Sequence, residues 1–456
     1  MNPPLSNSSM TEKWNNRALF RLLWPLIIEQ LLALTMGVAD TVMVSSTGEY
    51  AVSAVNIIDN INNLLVIAFM ALSTGGAVVC SQYIGRQDAA NARLASRQLV
   101  YSVTIVSVVI TLLALVLRKP AIGFFYGKIE EDVMGAAMTY FLFSAFSYPA
   151  LGLYNACAAL YRSAGNSQVP MKIALLINVL KIGFNAVLIY GLGMGVAGAA
   201  LSTLLCRAAA AVILILKLTR LRNSPVSLSG ILDMRLVPSM IRRILRIGVP
   251  TGLESSMFQF GRLLTQRIFP IFGTGVMAAN AVAGVLNSIS FMTGNAYCMA
   301  LLTVVSQCIG AGDYDAAKKH AAKLVKITWI TIFIISGLTF VFREFLAGLF
   351  NLSPEALGTA KIFLSIHCVS MAIGWTFSFA IPNALRAAGD AKYVMIVATV
   401  SMWVVRVSAA YFLAFTLKIG PAAVWIAMGL DFISRGVCYV LRWRRGKWQK
   451  AKSLTD

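Results

Sequence analysis

Apolar runs long enough to cross a bilayer alternate with short polar connections along nearly the whole chain, and this pattern predicts membrane-spanning helices. Gln98 to Leu117 is one such run, free of charge between Arg97 and Arg118. Strands of a membrane barrel would show short alternating segments instead, so the expected spans are helical. Allowing a few residues of slack, twelve spans are predicted, at about 18–45, 51–84, 94–117, 133–161, 168–191, 194–219, 249–271, 276–309, 322–343, 356–385, 392–416 and 421–442. The longest connection, 221–247, separates the sixth span from the seventh. Pro225, Pro238 and a polar start mark it as a linker. Within it, Ile231 to Ile247 sets Ile, Leu, Val and Met against four arginines, which predicts an amphipathic helix lying at the cytoplasmic interface.

Composition agrees with this pattern. With 456 residues, 58% of them hydrophobic, 12% charged and a mean hydropathy of +0.75, the chain has too little polar surface to cover a soluble globule. The net charge of +21 raises nucleic acid as a partner, and its distribution argues against that. Arg86, Arg93 and Arg97 follow the second span; Lys217, Arg220, Arg222, Arg235, Arg242, Arg243 and Arg246 follow the sixth; Lys318, Lys319, Lys323 and Lys326 follow the eighth. Arg442, Arg444, Arg445, Lys447, Lys450 and Lys452 crowd the tail. The positive-inside rule places all of these in the cytoplasm, which requires an even number of spans and both termini inside. Residues 1–17 are polar and no cleaved secretory leader is expected. The seven cysteines are scattered through apolar runs without CxxC spacing and read as small buried residues, so neither a disulfide framework nor a metal site is expected.

The linker divides two halves that resemble each other. WPLIIEQ at 24–30 matches VPTGLES at 249–255, and SQYIGRQDAANAR at 81–93 matches SQCIGAGDYDAAK at 306–318, both offset by 225. YRSAGNSQVPM at 161–171 matches LRAAGDAKYVM at 385–395, offset by 224. A six-span unit has been duplicated, and its even span number makes the copies parallel repeats about an axis along the membrane normal. The expected organisation is a cytoplasmic N-terminus (1–17), an N-lobe (18–220), a cytoplasmic linker with the amphipathic helix (221–247), a C-lobe (248–442) and a basic cytoplasmic tail (443–456).

Charges inside apolar spans are the candidate chemistry. An ionisable group at mid-membrane costs about 2.5–3.5 kcal/mol on insertion scales, so such groups should face a bundle interior or a wet cavity. Glu29 and Asp40 share the first span, eleven residues apart and on nearly the same helical face. Glu254 is the duplicate of Glu29, each four residues after a proline; the pair either attracts cations at a cavity or is a structural device of the Pro-x-x-x-Glu turn. Asp40 has no twin, since Thr265 stands at its counterpart, which suits coupling better than fold maintenance. On the fifth span Asn178, Lys181 and Asn185 share a face at spacings of three and four. Lys181 must deprotonate, snorkel to an interface or find a carboxylate, and Asp40 is the candidate partner. The second half adds Arg262, Arg267, His367, Trp403, Arg406 and the i, i+4 pair Asp431 and Arg435. His367 reads as a core histidine. Arg262 and Arg406 require a polar partner or water, and either bind an anionic substrate group or clamp Glu254.

The chain resembles the MATE (multidrug and toxic compound extrusion) family over essentially its full length, on PLIIEQLLALTMGVADTVMVS, RSAGNSQVPM with its twin RAAGDAKYVM, SQYIGRQD with SQCIGAGD, and NAVLIYGLGMGVAGAALST at 185–203. The resemblance implies an all-α membrane protein of twelve helices in two six-helix lobes around a V-shaped cavity. It also implies export of organic, mostly cationic compounds in exchange for protons or sodium. Family members place an Asp on the first helix and an Asn-x-x-x-Asp pair on the fifth to form an N-lobe cation site. Asp40 matches the first, whereas Lys181 and Asn185 stand where the pair would be. One carboxylate is lost and an ammonium gained, so the expectation is that this lobe does not hold sodium. Lys181 then takes the place of the cation and exchanges protons with Asp40.

The resulting expectation is a proton-coupled multidrug antiporter, monomeric, in a bacterial inner membrane, with small-molecule substrate, H⁺ (or Na⁺) and membrane lipids as partners and no cofactor. Asp40, Lys181, Asn185 and Asn178 form its coupling site; Glu29, Glu254, Arg262, Trp403 and Arg406 line its substrate cavity. The alternative is a flippase for a lipid or lipid-linked precursor, whose anionic head group would suit Arg262, Arg267 and Arg406. An intramembrane enzyme is disfavoured, since HExxH and nucleophile–base constellations are missing and there are two histidines.

Overall fold

The computed structural model describes residues 8–126, 130–221 and 223–450. Arg222 and Lys452 of the positive-inside pattern lie outside them. The helices are α1 (Ser8–Lys13), α2 (Asn16–Ser45), α3 (Glu49–Gly85), α4 (Ala89–Tyr126), α5 (Glu131–Ser163), α6 (Gln168–Asn185), α7 (Gly195–Arg220) and α8 (Pro238–Gln266). They continue with α9 (Thr274–Gly310), α10 (Tyr314–Val341), α11 (Arg343–Gly348), α12 (Pro354–Ser370), α13 (Thr376–Ala387), α14 (Ala391–Val400), α15 (Ser408–Tyr411) and α16 (Ala422–Arg444). Wider π turns at Ala186–Gly191, Met371–Trp375, Ser401–Val407 and Phe412–Thr416 extend α6 and link α12 to α13 and α14 to α15, so that each run is one continuous rod. No strand occurs among the described residues.

Eleven of these rods are long and apolar enough to span a membrane. The expected seventh span differs. The amphipathic stretch is not a separate interfacial helix: Ile231–Asp233 is a single 3₁₀ turn, and α8 then runs unbroken from Pro238 through Pro250 to Gln266. Its length suffices, but Glu254, Arg262 and a series of Ser, Thr and Gln make it polar. The apolar stripe of its first half packs on protein instead of lipid. Met240, Ile244 and Ile247 are buried, and Gly248 lies backbone to backbone against Gly75 of α3, where an added Cβ on Gly75 would meet the Gly248 nitrogen at 2.9 Å. Small residues at a helix crossing permit this approach. Helix α10 also starts earlier than its hydropathy suggests, because the Asp313 carboxylate caps the Ala316 N–H at 2.9 Å and carries the lysine-rich first turns into the helix.

The chain forms two compact units, one from Trp24 to Gly252 and the other from Leu253 onward together with the segment up to Leu23. In the first, α3, α4, α5 and α7 form the packed centre, with Ile58, Phe69, Phe141 and Tyr148 buried between them. In the second, α9, α10, α12, α13 and α16 do so. Trp375 is fully buried there, and its ring lies so close to Gly294 that no side chain would fit. The duplication is legible in backbone detail. The turns of RSAGNS and RAAGDA close with the same bonds, Gly165 N–H to Arg162 O at 2.8 Å and Gly389 N–H to Arg386 O at 2.9 Å. Six of the seven cysteines are buried as expected, whereas Cys438 is exposed on α16.

Candidate functional site

The first unit brings the polar face of α6 against α2. Lys181 Nζ is ion-paired with Asp40 Oδ2, and Asn185 Nδ2 donates to Asp40 Oδ1 at 2.9 Å. Asn178, one turn away, does not reach Asp40; its amide donates to the Leu32 carbonyl at 2.9 Å and fixes the register of the two helices. From α7, the Ser202 hydroxyl donates to the Lys181 carbonyl at 3.3 Å. The Lys181 and Asp40 side chains are 13% and 29% exposed, so the pair is mostly dry but reachable. Immediately beyond Asn185 the helix opens into the π turn Ala186–Gly191, a feature frequent at functional positions.

Two further charges belong to this region and escaped the sequence reading. Asp59 on α3 interacts electrostatically with Arg207 of α7, with Lys181 and with Asp40. Its Oδ1 accepts from Asn62 Nδ2 and from the Tyr140 hydroxyl, both at 3.4 Å. Tyr148 donates to Asn62 Oδ1 at 2.6 Å, and Arg207 donates to the Ser147 hydroxyl at 2.7 Å. Asp40, Asp59, Lys181 and Arg207 thus form a group of two acids and two bases. The signal for Asp59 and Arg207 is the same as for Asp40: an ionisable residue within an apolar span.

Glu29 and Glu254 are each held by an arginine of their own unit. Arg162 lies 3.0 Å from Glu29, and Arg386 bonds both oxygens of Glu254 at 2.6 Å. Arg162 and Arg386 are themselves repeat counterparts, so the two ion pairs are duplicates. All four side chains are between 11% and 14% exposed. The geometry supports the structural alternative for these carboxylates. Of the two roles open to Arg262 and Arg406, clamping Glu254 falls to neither: Arg386 at the end of α13 holds that carboxylate, Arg262 is exposed and Arg406 is engaged by Asp431.

The second unit also carries a basic residue in the span that repeats the fifth, with a different acid. Arg406 of that span lies 3.9 Å from Asp431 of α16. Asp431 also pairs with Arg435 at 3.0 Å, the expected i, i+4 contact, and accepts from the Ser401 hydroxyl at 2.7 Å. Phe258 faces both guanidinium groups, at 5.3 Å and 5.5 Å. All three charged residues are buried. Thr265, where the first unit has Asp40, spends its hydroxyl on the Arg262 carbonyl at 2.9 Å. Trp403 is 37% exposed, and Arg262 and Arg267 are exposed. His367 is buried edge-on to Trp425 at 5.6 Å, with no hydrogen-bond partner for its Nδ1 among the described residues.

A duplicated, helical, multi-pass membrane protein with charges gathered inside its spans has the organisation of a membrane transporter. Comparison with known proteins narrows this. The MatE family profile matches residues 25–187 and again 250–412, one match per repeat, and the chain belongs to the MATE family. It is 27% identical to YisQ, a Bacillus subtilis transporter, over 94% of either chain. It is 26% identical to a probable multidrug resistance protein NorM of Thermotoga maritima, covering 96% of this chain and 94% of that one. Among solved structures, a MOP superfamily transporter from Pyrococcus furiosus, for which a reversed-polarity binding pocket is described, superposes with a TM-score of 0.90 at 19% identity over 99% of this chain and 100% of its own. A Vibrio cholerae MATE transporter superposes with a TM-score of 0.86 at 18% identity over 98% and 99%. These likenesses establish the fold.

Proposed function

We propose that the protein is a proton-coupled antiporter that exports organic, mainly cationic, small molecules from a bacterial cytoplasm, with both termini on the cytoplasmic side. The observation that carries this reading is the contact of the Lys181 ammonium with Asp40, backed by Asn185 on the other carboxylate oxygen. An ammonium seated there leaves little net negative charge to attract Na⁺, which favours protons. A proton entering from outside neutralises Asp40 and releases Lys181. Asp59, already within electrostatic reach, offers the freed ammonium a second acid. Loss of the proton to the cytoplasm restores the original pair. Each cycle therefore exchanges one bound proton at Asp40 for a rearrangement of α2 against α6, which alternating access converts into a change of cavity exposure. The half-exposed Trp403 supplies an aromatic face suited to organic cations. The multidrug-resistance names of the relatives do not favour the flippase alternative.

The test is efflux of a cationic dye from proteoliposomes under an imposed pH gradient or an imposed Na⁺ gradient. Transport driven by the pH gradient alone supports the reading. Full proton-driven transport by a Lys181→Ala variant overturns the coupling site, and a requirement for Na⁺ overturns the choice of ion.

A further inference from the structure

A cavity of about 360 Å³ opens in the second unit between α10, α13 and α16, away from the charged clusters described above. Its walls are apolar, with Ala322 and Val325 from α10, Ile381 and Ala384 from α13, and Val440 from α16. Two cations stand at it, Lys326 and Arg444, both exposed and neither ion-paired among the described residues. Two tryptophans complete the lining. The Trp329 indole N–H is spent on the Ala372 carbonyl at 2.9 Å, which leaves its ring to face the cavity. Trp443 is pinned by Trp448, stacked at 4.3 Å, whose indole N–H returns to the Trp443 carbonyl at 3.0 Å. The 3₁₀ turn Lys447–Lys450 beyond α16 thus folds back to rigidify one wall.

An apolar slot, interfacial tryptophans and two uncompensated cations are complementary to a single kind of occupant: a lipid with acyl chains and an anionic head group. The location agrees, since this is the end of the unit where Lys318, Lys319, Lys323, Arg442 and Arg445 gather. Arg442 is engaged by Asp390 at 2.8 Å and Lys323 by Asn16, so neither competes with Lys326 and Arg444 for the head group. We infer that this groove is a binding site for an anionic phospholipid of the adjacent leaflet, with Lys326 and Arg444 contacting its phosphate and the α10–α13–α16 slot holding an acyl chain. The lipid docks from the membrane as a fixed partner and is not a transported substrate, so the inference is independent of the ion-coupling proposal.

Purified full-length protein, delipidated in detergent and re-equilibrated with equal amounts of phosphatidylglycerol and phosphatidylcholine, tests this by native mass spectrometry and thermal unfolding. The wild type is expected to retain phosphatidylglycerol about tenfold over phosphatidylcholine, as two interfacial cations imply. K326Q/R444Q is expected to lose that preference while unfolding at the wild-type temperature without lipid. Ala322→Trp, which fills the slot from its exposed side and leaves the cations, is expected to lose retention of both lipids. Equal retention of the two lipids by the wild type overturns the site, as does an unchanged preference in K326Q/R444Q. A thermal shift from soluble glycerol 3-phosphate equal to that from phosphatidylglycerol makes this a phosphate site and overturns the lipid assignment.

Discussion

Lys181 and Arg406 stand on corresponding spans of the two repeats, yet each takes its carboxylate from a different helix: Asp40 on the first span of its half, and Asp431 on the last span of the other. The duplication kept a cation in the fifth span and moved the acid. In the first unit the pair is partly exposed and has one lysine; in the second the acid is fully buried between two arginines. Lysine can release a proton when its surroundings change, whereas arginine stays charged. This asymmetry is why the proposed proton chemistry is placed at Asp40 and Lys181 and not at the buried second-unit cluster.

Removing either member of the first pair breaks the direct contact between Lys181 and Asp40. Lys181→Ala and Asp40→Asn are each expected to lower proton-driven dye efflux by about tenfold or more, about 1.4 kcal/mol or more in barrier. The double variant D40N/K181M is expected to express and unfold like the wild type while remaining inactive. Efflux assays and thermal unfolding on the same preparations separate the two effects.

Substitutions in the duplicate pairs should act on stability. Glu29→Gln and Arg162→Gln each lower the unfolding temperature, and E29Q/R162Q loses less than their sum. The same pattern holds for Glu254→Gln with Arg386→Gln. Coupling energies from the two cycles are expected to agree within about 1 kcal/mol, since both pairs are similarly buried. A KM for dye that rises while stability is unchanged would instead give these acids a place in substrate binding.

The second-unit cluster should be sensitive to its acid above all. Asp431→Asn leaves Arg406 and Arg435 facing each other in a dry site, with an expected loss of about 3–5 kcal/mol. Arg406→Met keeps one ion pair and much of the volume and is expected to cost less. Unfolding temperatures of the two variants in detergent check the order.

Gln87, two residues beyond the end of α3, has φ of +60°, and its repeat counterpart is Gly312, at +78°. A left-handed residue with a side chain costs roughly 1–2 kcal/mol. Gln87→Gly is therefore expected to raise the unfolding temperature slightly, and Gly312→Gln to lower it. Equal unfolding temperatures in all three proteins would show that the surrounding turn removes the strain.

Much of this architecture is legible in the sequence because hydropathy and repetition are local properties. The spans follow from runs of apolar residues, the two units from motifs recurring at a near-constant offset, and the Asp40–Lys181 encounter from the rule that a charge inside a span seeks its opposite. Tertiary structure decided the rest. Glu29 and Arg162 lie 133 positions apart, and only the rotation and depth of two packed helices bring them together. The same holds for Asp59 with Arg207. Pro238 to Gln266 reads as an interfacial stripe followed by a separate span, and it becomes one helix because α3 offers Gly75 to its apolar face. Sequence alone determined which residues cannot tolerate lipid; the packing of helices distant in sequence determined which partner each of them found.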